Sequence, residues 1–306
     1  MELSVKKIKI KQIDAFTSVP FSGNPAGVVT SASGLTVKQM KLIAREMNLS
    51  ETAFVLPPKT PAADLEIRWF TPTSEVDLCG HATIASFHAL AEENKYGMSR
   101  SGKFNFNVET KSGILPVQVT KNGDLQPLIS LGLPIPKFQT VRYKKNVLGT
   151  AFSMETGGFE SKYSMAKDNL YFIIAIKNRD ILFKIIPDYP LIEDICRELK
   201  VSGITLFTTD TIDSESMVHT RFFAPLLGVN EDPVTGSSLG PLGIYLAEQG
   251  IIKQKIGTIS FVAEQGDVLD KPGRVTVEFQ KTPKGYQSLK ILGNAVTVLN
   301  GEIYLE

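Results

Sequence analysis

An internal repeat constrains the fold of this chain more than any other feature of its sequence. Residues 68–72 (Arg-Trp-Phe-Thr-Pro) resemble residues 221–225 (Arg-Phe-Phe-Ala-Pro), and half of the 306-residue chain separates the two segments. A helix and a short strand are predicted before each segment, and an acidic residue, a glycine turn and an apolar helix after it. A five-residue match arises easily by chance, but four elements in the same order favour a duplicated α+β unit.

Strands account for most of the remaining pattern. Apolar and polar residues alternate over residues 65–69, 104–108 and 274–279, which is typical of strands with one buried face. Asn122-Gly123, which lies between two apolar runs, predicts a two-residue hairpin turn. We therefore expect a sheet that is largely antiparallel.

Two amphipathic helices are marked by their ends and their apolar faces. Thr36 and Gln39 form a capping-box pattern, which predicts a helix that runs to Met47. The second helix is predicted over residues 191–199, with Cys196 on its apolar face.

Two further helices, predicted over residues 81–91 and 238–247, carry almost no charge on any side. A helix that is apolar all round is normally enclosed by other elements. Each of them begins at a glycine, Gly80 or Gly236, so each half of the chain is expected to hold one buried helix.

A linker between the halves is predicted where prolines cluster, at residues 127–137. It divides the chain into an N-terminal domain, residues 1–127, and a C-terminal domain, residues 128–294.

The charge balance excludes several classes of protein. Lys and Arg number 33 and Asp and Glu number 32, so the formal net charge is +1 and no general field attracts nucleic acid or an anionic membrane. The apolar runs are far shorter than the roughly 20 residues of a membrane-spanning helix. Lysines interrupt the start of the chain, where a signal peptide would be apolar. We expect a cytoplasmic protein with no membrane or nucleic-acid partner.

Sequence patterns for metal and nucleotide sites are missing. The two cysteines lie far apart, there are three histidines, and neither HExxH nor CxxC occurs, which predicts no metal site. Neither GxGxxG nor GxxxxGK[ST] occurs, so nucleotide binding has no support.

The apolar helices suggest where a ligand would bind. If the halves are copies, the N-termini of both helices are expected to open toward a cleft between them. A helix N-terminus carries unpaired N–H groups and a partial positive charge, which favour carboxylates. Gly80 and Gly236 would let a ligand approach the backbone closely. A small anionic metabolite is therefore the predicted ligand.

Three side chains near these turns could move a proton. Glu51 lies between a helix end and an apolar strand, where burial would raise its pKa toward catalytic usefulness, although a solvated loop carboxylate is an equal alternative. His81 could donate to an oxyanion or relay a proton, or only bond to a nearby loop. Asp232 could be a second acid or base, although capping of its turn is the simpler interpretation.

Other polar residues have simpler interpretations beside the functional ones. Ser237 could bind a ligand oxygen or act as an N-cap. Cys79, beside Gly80, could be a base or a nucleophile if its thiol is exposed, or a small buried residue. His88 and Cys196 are predicted to be core residues, and His219 an ordinary strand residue.

Several motifs resemble those of the phenazine-biosynthesis isomerase-like (PhzF-like) proteins. They span nearly the whole chain in that family's order, at residues 12–16, 21–28, 50–54, 68–72, 77–83, 221–225, 231–237, 264–266 and 272–274. The resemblance implies a diaminopimelate epimerase-like α+β fold with two pseudo-symmetric domains. Each would be an antiparallel β-barrel around a central helix, with residues 295–306 returning to the first domain. It also implies a homodimer, and an active site with neither metal nor pyridoxal phosphate.

The resemblance also assigns roles by position. Glu51 matches the proton-transfer carboxylate, His81 and Asp232 match its assisting groups, and the substrate-binding residues are Asn24, Gly80, Gly236 and Ser237. The expected function is a cofactor-independent isomerase that moves a carbon-bound proton in a small carboxylate-bearing metabolite. Cys79 lies where related epimerases and racemases hold one of two catalytic cysteines, but the second-half turn has Asp232-Pro233 in place of a thiol. A Cys79-assisted epimerase and a non-catalytic metabolite-binding protein are the alternatives.

Overall fold

Residues 6–123, 125–253 and 256–305 are described by the computed structural model. Residues 1–5 and 306 lie outside the described residues. They form the ends of the predicted ranges 1–127 and 295–306. Residues 1–5 also begin the lysine-interrupted N-terminal stretch from which a signal peptide is judged absent in the sequence analysis. The chain forms two compact units, Met1–Gly132 with Leu292–Glu306, and Leu133–Ile291. Both units combine helices with strands, so the predicted α+β class is confirmed.

Helices and strands are interspersed along the whole chain. The α-helices in the described residues are α1 (Val37–Met47), α2 (Gly80–Glu92), α3 (Lys145–Ala151), α4 (Arg179–Lys184), α5 (Tyr189–Leu199) and α6 (Gly236–Glu248). The strands in the same residues are β1 (Lys6–Ala15), β2 (Asn24–Val29), β3 (Glu51–Leu56), β4 (Leu65–Phe70), β5 (Glu75–Val76), β6 (Gly102–Thr110), β7 (Gly113–Lys121), β8 (Leu128–Gly132), β9 (Gln139–Thr140), β10 (Ala166–Lys167), β11 (Tyr171–Ala175), β12 (Gly203–Thr208), β13 (Ser216–Ala224), β14 (Val229–Asp232), β15 (Gly257–Gln265), β16 (Gly273–Thr282), β17 (Gly285–Gly293) and β18 (Ala295–Leu305). Within these ranges every helix is too short or too polar to cross a bilayer.

In the first unit a mixed sheet packs around α2. The strands β18, β1 and β2 pair antiparallel in that order, β2 and β3 pair parallel, and β4 pairs antiparallel with β3 and parallel with β6. The sheet then continues antiparallel through β7 to β8. Antiparallel pairs dominate, as expected from the alternating sequence.

Helix α2 is buried from Gly80 to Ala91, which confirms the interpretation of its uniformly apolar sequence. It packs against β1, β2, β3, β7, β8 and β18. Two of its hydroxyl groups bond back to the helix itself, since Thr83 Oγ1 donates to the Cys79 carbonyl at 2.6 Å and Ser86 Oγ to the Ala82 carbonyl at 2.6 Å. The helix can therefore lie among apolar side chains without leaving these polar atoms unsatisfied.

In the second unit α6 is the buried helix, and it packs closely on β16. Gly243 permits this approach, because a Cβ atom there would lie 2.8 Å from Val277 Cγ1 and 3.2 Å from the Phe261 ring. The strands β11 and β12 pair parallel, β13 pairs antiparallel with β12 and β14 and parallel with β15, and β15 pairs antiparallel with β16. Helices α3, α4 and α5 cover a separate apolar cluster in the same unit.

The predicted helix ends agree with the structure. Thr36 is the N-cap of α1, and its side chain and that of Gln39 form the reciprocal bonds of a capping box. Helix α5 begins slightly before the predicted residue 191, because Asp188 caps it and Pro190 occupies its first turn.

One local prediction is wrong, and the predicted linker, which contains the boundary between Gly132 and Leu133, begins later than expected. Thr120 pairs with Leu128, so Asn122-Gly123 begins a longer connection, residues 122–127, and not a two-residue hairpin. A two-residue turn lies instead at residues 111–112, between β6 and β7, where Thr110 pairs with Gly113 at a positive φ of 104°. The first part of the predicted linker, Leu128–Gly132, is strand β8 and pairs with β7.

The glycine before β2 supports a stability prediction. Gly23 has a φ of +65°, and a Cβ atom there would lie 2.2 Å from the Ala15 carbonyl oxygen, whereas Gly97 has a φ of +79° and no atom within 4 Å. Both Gly→Ala changes incur the left-handed penalty of about 1–2 kcal/mol, and only Gly23→Ala adds a backbone clash. We expect Gly23→Ala to lower the free energy of unfolding by about 3 kcal/mol or more, against about 1 kcal/mol for Gly97→Ala. Urea unfolding followed by fluorescence of Trp69, which is buried in this unit and is the sole tryptophan of the chain, measures both; equal losses would contradict the account.

Candidate active site

The side chain of Glu51 stands at the first position of β3, where the chain leaves α1. Helix α1 ends at Met47 and is capped by Asn48, whose backbone is left-handed with a φ of 49°, and the strand begins three residues after this cap. Residues Thr52 to Val55 of β3 are buried, so the strand is fixed in the core of the unit. The Glu51 side chain is 14% exposed to solvent. It is therefore held by the core while still open to a small ligand.

The N-terminus of α2 lies beside this carboxylate. Cys79 is the N-cap residue, and its side chain makes no capping hydrogen bond. The first N–H groups of a helix have no acceptor within the helix, and they carry a partial positive charge. Gly80, at the first helical position, adds no side chain there. This end of α2 has the properties of a carboxylate-binding turn.

His81 connects the residues around this turn. Its Nε2 atom lies 3.3 Å from Glu51 Oε2 and 3.3 Å from Ser50 Oγ, and its Nδ1 atom lies 3.5 Å from Cys79 Sγ. An ionised carboxylate only accepts hydrogen bonds, so the proton of a neutral imidazole is placed on Nε2 and donated to Glu51. Nδ1 is then left to accept from the Cys79 thiol.

The charge state of His81 follows from its burial. The side chain is 6% exposed, and burial lowers the pKa of the imidazole to about 3. The contact with Glu51 is therefore a hydrogen bond from a neutral ring near neutral pH, and not an ion pair. A neutral imidazole N–H can stabilise negative charge without giving up its proton.

This lowered pKa predicts a pH dependence of stability. Between about pH 6.5 and pH 3 the unfolded chain binds a proton at residue 81 that the folded chain excludes, so the contribution to stability is present above pH 6.5 and is lost as the pH falls. We expect His81→Asn to flatten the slope of unfolding free energy against pH by about 1.4 kcal/mol per pH unit in this window. Urea unfolding at several pH values measures the slope, and an unchanged slope would show that His81 is not held neutral.

Asn24, the predicted substrate-binding residue of the first unit, lies at the start of β2. The parallel register pairs Ala26 with Glu51, which places the beginnings of β2 and β3 at the same end of the sheet. Asn24 is 1% exposed. Its role in binding stays a prediction.

In the second unit Asp232 is held in a turn by its neighbours. Its side chain is buried, and Oδ2 accepts from Thr235 Oγ1 at 2.5 Å. Gln265 fixes the same turn, because its Nε2 donates to the Asp232 carbonyl at 2.8 Å and to Thr235 Oγ1 at 3.0 Å. Thr235 is the N-cap residue of α6, so the N-cap role considered for Ser237 is wrong, whereas the bond from Thr235 to Asp232 is consistent with Asp232 holding the turn before the helix.

Gly236 and Ser237 form the first turn of α6. Gly236 is buried at the first helical position, as Gly80 is in α2. Ser237 Oγ lies 2.8 Å from the hydroxyl of Tyr171, a contact with no signal in the sequence.

The remaining histidines lie in two different environments. His88 is a core residue as predicted, with Nε2 3.1 Å from Glu92 Oε1. His219 is on strand β13 as predicted, but it is also completely buried against Glu264, with Nδ1 2.8 Å from Oε2. Glu264 opens one of the motifs that carry the family resemblance, and its pairing with His219 was missed.

The fold and the site together define a class of protein: an α+β protein in which a carboxylate and a neutral imidazole meet at a helix N-terminus. The chain belongs to the phenazine biosynthesis-like protein family (PhzC-PhzF), whose family model matches residues 13–301. This confirms the resemblance inferred from the motifs.

Several relatives are similar to this chain over nearly its full length. An uncharacterized isomerase of Clostridium acetobutylicum is 39% identical over 306 residues, which cover 98% of this chain and 99% of the relative. The uncharacterized isomerase YfhB of Bacillus subtilis is 34% identical over 297 residues, with 95% and 97% covered. The crystal structure of a PhzF-family phenazine biosynthesis protein of Bacillus anthracis has a TM-score of 0.89 at 33% identity, and covers 98% of this chain and 100% of that one.

Proposed function

We propose that this protein is a cofactor-independent isomerase that moves a carbon-bound proton within a small carboxylate-bearing metabolite. The observation that carries the proposal is the Glu51 carboxylate, which lies 3.3 Å from a buried neutral imidazole beside the N-terminus of α2. The names of the relatives above, which are uncharacterized isomerases, support the same class of reaction.

The chemistry starts with Glu51 as the base. It removes a proton from carbon, and the electron pair of that C–H bond moves into an adjacent conjugated system of the substrate. The substrate must therefore carry a double bond next to the acidic C–H. The protonated Glu51 then returns the proton to a different carbon, the double bond shifts, and the carboxylate is regenerated. No electron leaves the substrate, so the step needs no oxidant or reductant.

His81 and the end of α2 would stabilise the charge that develops. A neutral N–H can donate to Glu51 or to a substrate oxygen without protonating either fully. The N–H groups at Gly80 and beyond would hold the carboxylate of the substrate. Two further roles are proposals that rest on the family resemblance. Asp232 would assist the proton transfer, and the substrate would be bound by Asn24, Gly236 and Ser237.

The barrel architecture, the cofactor independence, the oligomeric state and the cellular location are also proposed from the sequence and the family resemblance. We propose that each unit is a barrel around its apolar helix and that the two are pseudo-symmetric; the strands on several sides of α2 support a barrel in the first unit, although the parallel pair β2–β3 makes it mixed and not wholly antiparallel. Independence from metal and pyridoxal phosphate, a homodimer and a cytoplasmic location are carried over from the sequence as proposals.

The test is a search for carbon-bound hydrogen exchange. The protein is incubated in deuterated water with a panel of small unsaturated carboxylic acids, and mass spectrometry reads deuterium incorporation and the formation of isomers. Incorporation with a shifted double bond would support the proposal. Tight binding of a panel member without any exchange would instead favour the non-catalytic metabolite-binding alternative.

One observation favours a second candidate, a Cys79-assisted epimerase. Cys79 Sγ lies 3.5 Å from His81 Nδ1 at the N-terminus of α2, where the partial positive charge of the helix end would stabilise a nucleophilic or basic thiolate once the thiol proton has left to solvent. In that case alkylation of Cys79 would abolish activity, and substrate would protect against it.

A further inference from the structure

We infer that Cys79, His81 and Glu51 form a binding site for a single thiophilic divalent cation such as Zn²⁺. The site is distinct in chemistry from the isomerase reaction, which needs no metal in our proposal. The expected inhibition of the reaction by the ion rests on the proposed function, whereas the binding of the ion does not.

The donor atoms already lie close to the spacing that zinc requires. One ligand atom from each of the three residues lies within 4.8 Å of the other two. Tetrahedral zinc with a sulfur ligand at about 2.3 Å and a nitrogen ligand at about 2.0 Å separates those two atoms by about 3.5 Å. Cys79 Sγ and His81 Nδ1 are 3.5 Å apart, which matches this edge.

The carboxylate completes the site after a small movement. Glu51 now faces Nε2, on the other side of the imidazole, at 3.3 Å. One ring nitrogen binds one ion, so an ion on Nδ1 requires the carboxylate to leave Nε2 and swing toward the thiol, whose sulfur lies within 4.8 Å of a Glu51 carboxylate oxygen. Glu51 is at a strand end with a partly exposed side chain, and such a side chain can make this rotation.

Charge balance favours the ion in this buried setting. Cys79 and His81 are 6% and 5% exposed, so an uncompensated charge would be costly there. Binding releases the Cys79 thiol proton to solvent and forms a sulfur–metal bond, and the thiolate and the Glu51 carboxylate together neutralise the two charges of the cation. The mixed sulfur, nitrogen and oxygen donors select Zn²⁺, Co²⁺ or Cd²⁺ over Mg²⁺ and Ca²⁺, which prefer oxygen alone.

Occupancy would block the proposed chemistry directly. Coordination to the cation lowers the basicity of the Glu51 carboxylate and holds it away from a carbon-bound proton of the substrate. The imidazole would be fixed by the same ion. We therefore expect Zn²⁺ to inhibit exchange reversibly, with recovery on chelation.

Binding is tested without any substrate by titrating Co²⁺ into the reduced, chelator-treated full chain. We expect about one Co²⁺ per chain, with a near-ultraviolet thiolate-to-cobalt charge-transfer band that Zn²⁺ displaces. Cys79→Ser should abolish the band. Cys196→Ala is the matched control and should retain it, because Cys196 lies in the apolar cluster of the second unit, where burial raises the pKa of its thiol to about 12.

The other two ligands are tested by affinity. His81→Asn and Glu51→Gln should each weaken Co²⁺ binding by about tenfold or more, and Glu51→Gln should keep the thiolate band. A wild-type chain without the band, or a band that survives Cys79→Ser, would overturn the site. Activity that requires Zn²⁺ would overturn the inhibitory role. A positive titration in a protein that exchanges no substrate would leave the metal site standing and contradict only the proposed function.

Discussion

Glu51→Gln is expected to reduce isomerase turnover by about 10³-fold, because a proton carrier contributes roughly 10²–10⁴-fold to such reactions. The glutamine has nearly the same shape, and its carbonyl oxygen can still accept from His81 Nε2. It cannot take or return a proton. The turnover number should therefore fall much more than the affinity for substrate, measured by steady-state kinetics and by calorimetric titration.

Glu46→Gln is the matched control for this change. Glu46 lies on α1, close to Glu51 in the sequence, but its side chain is exposed. The same loss of one carboxylate there should leave turnover and the urea midpoint unchanged. If Glu51→Gln keeps more than about a tenth of wild-type turnover, Glu51 does not carry the proton.

A large stability effect is also expected at Glu264. Its carboxylate is completely buried and accepts from the backbone N–H groups of Ile212 and Asp213 at 2.9 and 2.7 Å, and it lies 2.8 Å from His219 Nδ1. Burial alone would raise the pKa of Glu264, but these hydrogen bonds and nearby Arg274 outweigh it and lower the pKa. Glu264→Gln should lower the free energy of unfolding by about 3 kcal/mol. The change removes the buried charge beside His219, and the new amide NH₂ group would face the N–H groups that now donate to the carboxylate.

Glu278→Gln is the comparison for Glu264→Gln. Glu278 is on the adjacent strand β16 and lies 2.6 Å from Lys290 Nζ, but both side chains of that pair are about one-third exposed. Solvent screens such a pair, so the expected loss is below about 1 kcal/mol. Urea unfolding followed by far-ultraviolet circular dichroism measures both variants, and comparable losses would show that burial does not set the strength of the Glu264 contacts.

The fold could be predicted from sequence where the signal was local. The uniform apolarity of α2 and α6 indicated their burial, and Thr36 with Gln39 indicated the start of α1. The turn at residues 122–123 failed because strand pairing decides which turn closes a hairpin, and that pairing is not local. His219 was missed for a similar reason, because its partner is 45 residues away and every residue from Val218 to Ala224 of β13 is buried, which removes any alternation.

The candidate site could be predicted only in part. The family motifs pointed to Glu51 and His81, but no spacing rule places a strand start 3.3 Å from a residue thirty positions later. The roles of Ser50 and Tyr171 had no independent signal, since one is a small residue next to Glu51 and the other reaches Ser237 through the tertiary fold. The predicted N-cap role of Ser237 was wrong because Thr235, two residues earlier, takes the N-cap position.

In the proposed mechanism the Glu51 carboxylate, and not the neighbouring thiol, moves the proton. Deuterium incorporation into the carbon skeleton of an exchanging substrate, measured side by side for the wild type, Glu51→Gln and Cys79→Ser in metal-free buffer, tests it most directly. We expect Glu51→Gln to lose incorporation by about 10³-fold and Cys79→Ser to stay within about tenfold of the wild type. The reverse pattern, with incorporation lost in Cys79→Ser and retained in Glu51→Gln, would contradict the claim.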